Sequence, residues 1–136
     1  MIFLTIEHIC DINKEWIHRY GGNYTAFNNN FLFKEKLEHI LVAIQYPIFG
    51  VDLYPSLLDK AAALAWEINK GHVFNDGSKR TGMQTAIEFL EINNAITLFH
   101  SNSIVEIALE IANENISVKD VASRFFPFVE LPILLA

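Results

Sequence analysis

The segment from Pro55 to Gly71 constrains the fold of this chain more than any other. Proline suits a first helical position, Ser56 to Lys70 contains three consecutive alanines, and Gly71 caps the end. One helix is thereby set at the middle of the sequence, and the flanking segments repeat its style. Residues 5–19 carry Ile6, Ile9, Trp16 and Ile17 at helical spacing, and Tyr20-Gly21-Gly22 stops the run. Residues 31–46 read as a second helix, with Leu37, Ile40, Leu41 and Ile44 on one side. Another starts at Ser78 and continues through Met83, Ala86, Ile87 and Leu90 to Asn93-Asn94. Ser103-Ile104-Val105-Glu106 has the capping-box pattern and begins a helix ending near Asn113. Ser117-Val118-Lys119-Asp120 repeats the pattern for a last short helix.

The remaining segments are connections. Residues 23–30 are polar and asparagine-rich, and residues 46–55 hold two prolines and a glycine. Residues 95–99 are the only strand candidate, and no repeat, low-complexity tract or linker breaks the chain. The expectation is an all-α bundle forming a single domain over residues 1–136. With 51% hydrophobic residues and eleven phenylalanines the chain has the composition of a folded globule.

The formal charge of −6 repels nucleic acid and anionic membrane surfaces, so neither is expected as a partner. Cys10 is alone, which excludes an internal disulfide and fits a reducing, cytoplasmic setting. The first residues lack the basic and long apolar parts of a secretory signal. No apolar run approaches the roughly 20 residues needed to span a bilayer. The apolar tail, residues 125–136, is interrupted by Pro127, Glu130 and Pro132 and is expected to pack on the domain, with a partner chain as the alternative.

Between the central helix and the next lies His72-Val73-Phe74-Asn75-Asp76-Gly77-Ser78-Lys79-Arg80-Thr81. A helix start offers free N–H groups and a positive dipole end, which favour phosphate. His72 is a base whose ordinary range lies near neutrality, able to take a proton from an attacking hydroxyl. Asp76 is a hard oxygen ligand suited to Mg²⁺ held partly by phosphate oxygens. Gly77 permits backbone angles that let the following N–H groups converge on one anion. Lys79 and Arg80 add a point charge and a planar fork for different phosphate oxygens. Phe74 is read as the core anchor that leaves His72 and Asp76 pointing outward.

Taken singly, each residue has an ordinary reading: a dipole partner, a turn, a solvated surface. Their concentration at one helix start favours a site. Asp76-Gly77-Ser78-Lys79 is no Walker A loop, because no glycine stands five residues earlier and no strand precedes it. No second histidine sits at transition-metal spacing, and no nucleophilic triad motif is present. His8, His18, His39 and His100 fall on or near helices and read as surface or core-edge residues.

The pattern His-x-Phe-x-Asp-Gly-Ser-Lys-Arg-Thr closely resembles the signature of the Fic/Doc family in its Doc, or death-on-curing, form. Arg19-Tyr20-Gly21-Gly22, Phe49-Gly50-Val51-Asp52-Leu53-Tyr54-Pro55, Lys60-Ala61-Ala62-Ala63-Leu64 and Phe89-Leu90-Glu91-Ile92-Asn93 follow in the family's order, so the likeness covers most of residues 3–100.

The resemblance implies an all-helical fold with the motif between two central helices. It also implies ATP and Mg²⁺ as cofactors, with His72 as base, Asp76 as Mg²⁺ ligand, and Lys79 with Arg80 holding phosphate. Gly77 and Ser78 join Lys79 and Arg80 as the cofactor-binding set. Fic enzymes move AMP from ATP onto a protein hydroxyl and carry glycine where this chain has Lys79. Doc-type toxins carry lysine there and transfer the terminal phosphate to a threonine of elongation factor Tu, arresting translation, until a small antitoxin such as Phd silences them.

AMP transfer, or a degenerate binding module, are the alternatives. The family has asparagine at the position of Ser78, and losing one hydrogen bond to a charged phosphate would cost about 1.5–3 kcal/mol. Gly71, Val73 and Asn94 are further departures from the family pattern. Glu110 occupies the Ser/Thr place of the family's inhibitory motif before Glu114-Asn115, so inhibition is assigned to a separate antitoxin chain.

Overall fold

Helix α3 (Leu57–Lys70) runs through the middle of the molecule. Ala61, Ala62, Ala63, Leu64, Ala65 and Ile68 are all fully buried, although they point to every side of the helix. A helix buried all round must be flanked all round. Its neighbours are α2 (Lys34–Ala43), α4 (Ser78–Ile92), α5 (Ser101–Asn113) and α6 (Val118–Phe125), while α1 (Ile6–Tyr20) packs on α4. The alanines let α4 approach closely: a β-carbon at Gly82 would lie 2.9 Å from the Ala65 carbonyl oxygen. The computed structural model describes residues 1–133. Among them the only sheet is one antiparallel pair, β1 (Ile96–Thr97) against β2 (Val129–Glu130), in the register Ile96 to Glu130 and Thr97 to Val129. The protein is all-α, as its sequence indicates.

Several element boundaries differ from the sequence reading, each for a local reason. Pro55 precedes the helix instead of opening it, because the Ser56 hydroxyl accepts the Asp59 N–H at 3.0 Å and acts as N-cap. Helix α2 starts at Lys34 and not residue 31, since Phe31 is drawn into an extended pairing with Phe74. Helix α5 begins at Ser101, so the Ser103 pattern falls inside the first turn and supplies no cap. The Ser117–Asp120 capping box is fully formed, with both reciprocal bonds present.

Residues 46–55 contain a tight turn closed by mutual Ile48–Val51 backbone bonds of 2.9 Å, with Phe49 fully exposed at its tip. Lys60 holds this segment from inside the protein. Only 7% exposed, its ammonium donates to the carbonyls of Ile44 at 2.8 Å and Tyr54 at 2.6 Å. In the C-terminal segment Phe125 is buried and Phe128 half-buried, both against Phe99, whereas Phe126, Leu131 and Ile133 are exposed. The expected packing therefore holds for part of the tail, and its last three residues lie outside the described ones. No helix among the described residues is long and apolar enough to cross a membrane.

Candidate functional site

The motif loop, residues 71–77, joins the two central helices. Gly71 keeps right-handed angles (φ −75°), and the left-handed residue that ends α3 is His72 (φ 50°). Two bonds close this turn: His72 N–H to the Asn69 carbonyl at 3.1 Å and Val73 N–H to the Ile68 carbonyl at 3.3 Å. This is a Schellman end with a histidine where glycine is usual. The sequence assigned the capping role to Gly71; the geometry moves the left-handed angle one residue on, and leaves the imidazole exposed.

Val73 and Phe74 are buried behind it. The Phe74 ring stacks on Phe31 at 5.0 Å, and the Val73 carbonyl accepts the N–H groups of Leu32 and Phe33. Phe74 is thus the anchor its position suggests, and residues 31–33 hold the loop by strand-like bonds.

His72, Asp76, Gly77, Ser78, Lys79 and Arg80 line one open cleft of about 350 Å³, together with Asn69, Phe74 and Asn75. Every residue singled out in the motif is therefore brought to the same place. Asp76 is exposed and meets no cation among the described residues. Its Oδ1 accepts the Gly77 N–H at 2.8 Å and its Oδ2 accepts the Asn23 N–H at 3.0 Å. Gly22 makes the second bond possible, because a β-carbon there would press to 2.9 Å from Asp76 Oδ2.

Gly77 (φ 78°) is the N-cap of α4 and provides no side-chain cap. The Gly77 amide is occupied by the chain's own carboxylate, but the N–H groups of Ser78, Lys79 and Arg80 have no acceptor among the described residues. Lys79 and Arg80 are exposed and unpaired with any described carboxylate. The Arg80 guanidinium lies over the Tyr20 ring, 5.5 Å from its centroid, and Tyr20 in turn stacks on Trp16.

The Ser78 side chain, while lining the cleft, is engaged within the loop. Its hydroxyl accepts the Phe74 N–H at 3.0 Å and donates to the Phe74 carbonyl at 3.1 Å, a bond that closes the loop on itself. Ser78 thereby ties α4 to the loop.

Three buried asparagines of the site escaped the sequence reading. Asn69, 3% exposed, reaches the cleft while its amide donates to the Ala108 carbonyl at 3.0 Å. Asn13 of α1 and Asn30 of the asparagine-rich loop are fully buried against the Asp76 backbone. Asn13 had a visible signal. It falls between Ile9 and Ile17 at four-residue spacing, on the face that α1 buries.

The donor set fits a magnesium–phosphate group. An exposed carboxylate, two free cations and three unbonded helix-start amides offer one hard metal ligand and several anion contacts, which suits an ion that keeps most of its ligands as water and phosphate. No group of three or more metal-binding side chains exists among the described residues, and a cation bound through a substrate's phosphates does not require one.

The helical bundle and its cleft at the junction of two central helices are those of an all-α Fic-type fold. The chain belongs to the Fic/Doc family: the profile of the Fic/DOC family matches residues 3–90. Toxin Doc of Mycolicibacterium smegmatis is 34% identical over 86 residues, which is 62% of this chain and 66% of that protein. Protein kinase doc of Escherichia phage P1 is 38% identical over 122 residues, 90% of this chain and 91% of that protein.

Proposed function

We propose that this chain is a Doc-like toxin that transfers the terminal phosphate of ATP to a serine or threonine hydroxyl of a translation factor of the elongation factor Tu type. The observation that carries the reading is Lys79 beside Arg80 at the open start of α4, in the same cleft as the exposed His72. The names of the two relatives, a toxin and a protein kinase, support the same direction. A separate, Phd-like antitoxin chain is the expected partner.

The unbonded amides of Ser78, Lys79 and Arg80 and the positive end of α4 bind the phosphate chain. Lys79 contributes a compact charge and Arg80 a planar fork, held in orientation by Tyr20. His72 takes the proton of the attacking hydroxyl as that oxygen bonds to the γ-phosphorus. The bond from the γ-phosphorus to the bridging oxygen breaks, and ADP leaves. Asp76 would hold Mg²⁺, which when bound neutralises charge on the phosphate oxygens. Exposure of the imidazole is what makes it available to a protein-borne hydroxyl.

Mass spectrometry of a bacterial lysate mixed with the protein, ATP and Mg²⁺ tests this reading. Added phosphate on a translation factor is the expected product. Added AMP in its place would make the chain an AMP-transferring Fic enzyme, and no modification would make it a binding module.

A further inference from the structure

Two side-chain amides, one from α1 and one from the asparagine-rich loop, converge on the peptide that follows the Asp76 α-carbon. Asn13 Nδ2 donates to the Asp76 carbonyl at 2.9 Å and to the Thr81 hydroxyl at 3.0 Å. Asn30 Nδ2 donates to Asn13 Oδ1 at 2.9 Å and to the same Asp76 carbonyl at 3.2 Å. Asn30 is itself fixed, since its Oδ1 accepts the Thr25 N–H at 3.0 Å and its carbonyl accepts the Asn75 N–H at 2.8 Å. Both side chains are fully buried.

Buried amides with every strong donor and acceptor matched are rigid, because a rotation would leave several groups unpaired at once. Two such donors on one carbonyl fix the plane of the Asp76–Gly77 peptide. With the carbonyl turned in toward α1, the Gly77 N–H, which points the opposite way within the same trans peptide plane, faces the Asp76 carboxylate. A β-carbon at Gly77 would come 3.0 Å from Asn13 Nδ2, so the loop is seated directly on this amide.

We infer that Asn13 and Asn30 are positioning residues: by clamping the Asp76 carbonyl they set the direction of the Asp76 carboxylate and tune its hold on a divalent cation. The inference rests on the metal-ligand role given to Asp76 in the proposed function. Neither asparagine touches the reacting groups. Their action passes through the backbone of one residue, as outer-shell partners of metal ligands act.

Mn²⁺ with ADP serves as the probe, bound to the full-length protein and followed by paramagnetic relaxation and calorimetry without protein substrate. Asn13→Ala and Asn30→Ala should each weaken Mn²⁺ binding about 10-fold or more. Asn93→Ala is the control. It releases the N-terminal segment, whose Ile2 backbone Asn93 bonds at 2.7 and 2.8 Å, and should lower the melting temperature without moving Mn²⁺ affinity. If the Asn13 and Asn30 variants bind Mn²⁺ as the wild type does, the clamp is only structural and the inference fails.

Should both variants unfold, the wild type still decides the matter. Mn²⁺ should broaden the Asn23 and Gly77 backbone amides most strongly, and the side-chain amides of Asn13 and Asn30 should exchange slowly. Broadening centred elsewhere, or rapid exchange of those amides, overturns the inference. Mn²⁺ binding with this pattern but no phosphate transfer would refute the proposed activity while leaving the clamp intact.

Discussion

The hydroxyl of Ser78 and the backbone of Phe74 form a closed two-way contact, with the Phe74 N–H donating to Oγ at 3.0 Å and Oγ donating to the Phe74 carbonyl at 3.1 Å. Phe74 is 2% exposed, so water is a poor substitute for either bond. Ser78→Ala should therefore destabilise the protein by about 1–3 kcal/mol, the range for leaving buried backbone groups without a partner. Chemical denaturation reads this directly. An unchanged midpoint would show that the hydroxyl faces the ligand and not the loop.

His72 occupies a left-handed conformation that glycine adopts freely. Left-handed angles cost other residues roughly 1–2 kcal/mol, and glycine gives back about 0.5–1 kcal/mol of that in chain entropy. His72→Gly should thus raise stability by about 0.5–1 kcal/mol while abolishing phosphate transfer. Melting and activity measured on the same preparation would show the opposed changes. A destabilised His72→Gly protein would mean that the imidazole contributes packing its exposure does not suggest.

Lys60→Met removes the ammonium that holds the carbonyls of Ile44 and Tyr54. Hydrogen bonds to a charged group contribute about 1.5–3 kcal/mol, so a loss in that range is expected. Amide exchange should accelerate in residues 45–53 before the rest of the chain opens. Uniform exchange changes would contradict the local role of Lys60.

Asp120 is held below its ordinary carboxylate range, first by the backbone N–H of Ser117 and then by that residue's side chain. A depressed folded-state value stabilises the fold above the unfolded value of 3.8 and loses that contribution as pH falls through the folded value. Helix α6 should accordingly loosen at its start as the medium is acidified below about pH 4. Asp120→Asn keeps a side-chain acceptor for the cap and should remove this acid sensitivity in exchange measurements on residues 118–121.

Burial, reinforced by Asp11 and Glu7, pushes the Cys10 thiol above its ordinary value. The thiol should remain protonated at neutral pH and react slowly with alkylating reagents, faster only at higher pH. Rapid labelling at pH 7 would contradict this environment.

Much of the architecture was legible because the helices carry their own boundary signals. The alanine-rich α3, the Ser117 capping box and the helix start at Ser78 are written in local chemistry. Where the reading slipped, a tertiary contact had overridden local preference. Phe31 leaves α2 to pair with Phe74, and the turn after α3 places its left-handed angle on His72 beside an available glycine.

The motif was legible because its residue types are unusual together in ten positions. Asn30 and Asn69 were not, and for Asn13 the spacing marks burial but not its role, since a buried asparagine has meaning only through partners distant in sequence. Asn13 and Thr81, 68 residues apart, are such a case. Ser78 shows the same limit, as its hydroxyl's partner could be settled only in three dimensions.

The central claim is phosphate transfer by the cleft at the start of α4, with His72 as base. Purified protein incubated with Mg²⁺, elongation factor Tu and ATP labelled at either the γ- or the α-position tests it most directly. Label should reach the factor from the γ-position only, and should vanish with His72→Ala. Label arriving from the α-position, or γ-label transfer that survives His72→Ala, would contradict the account.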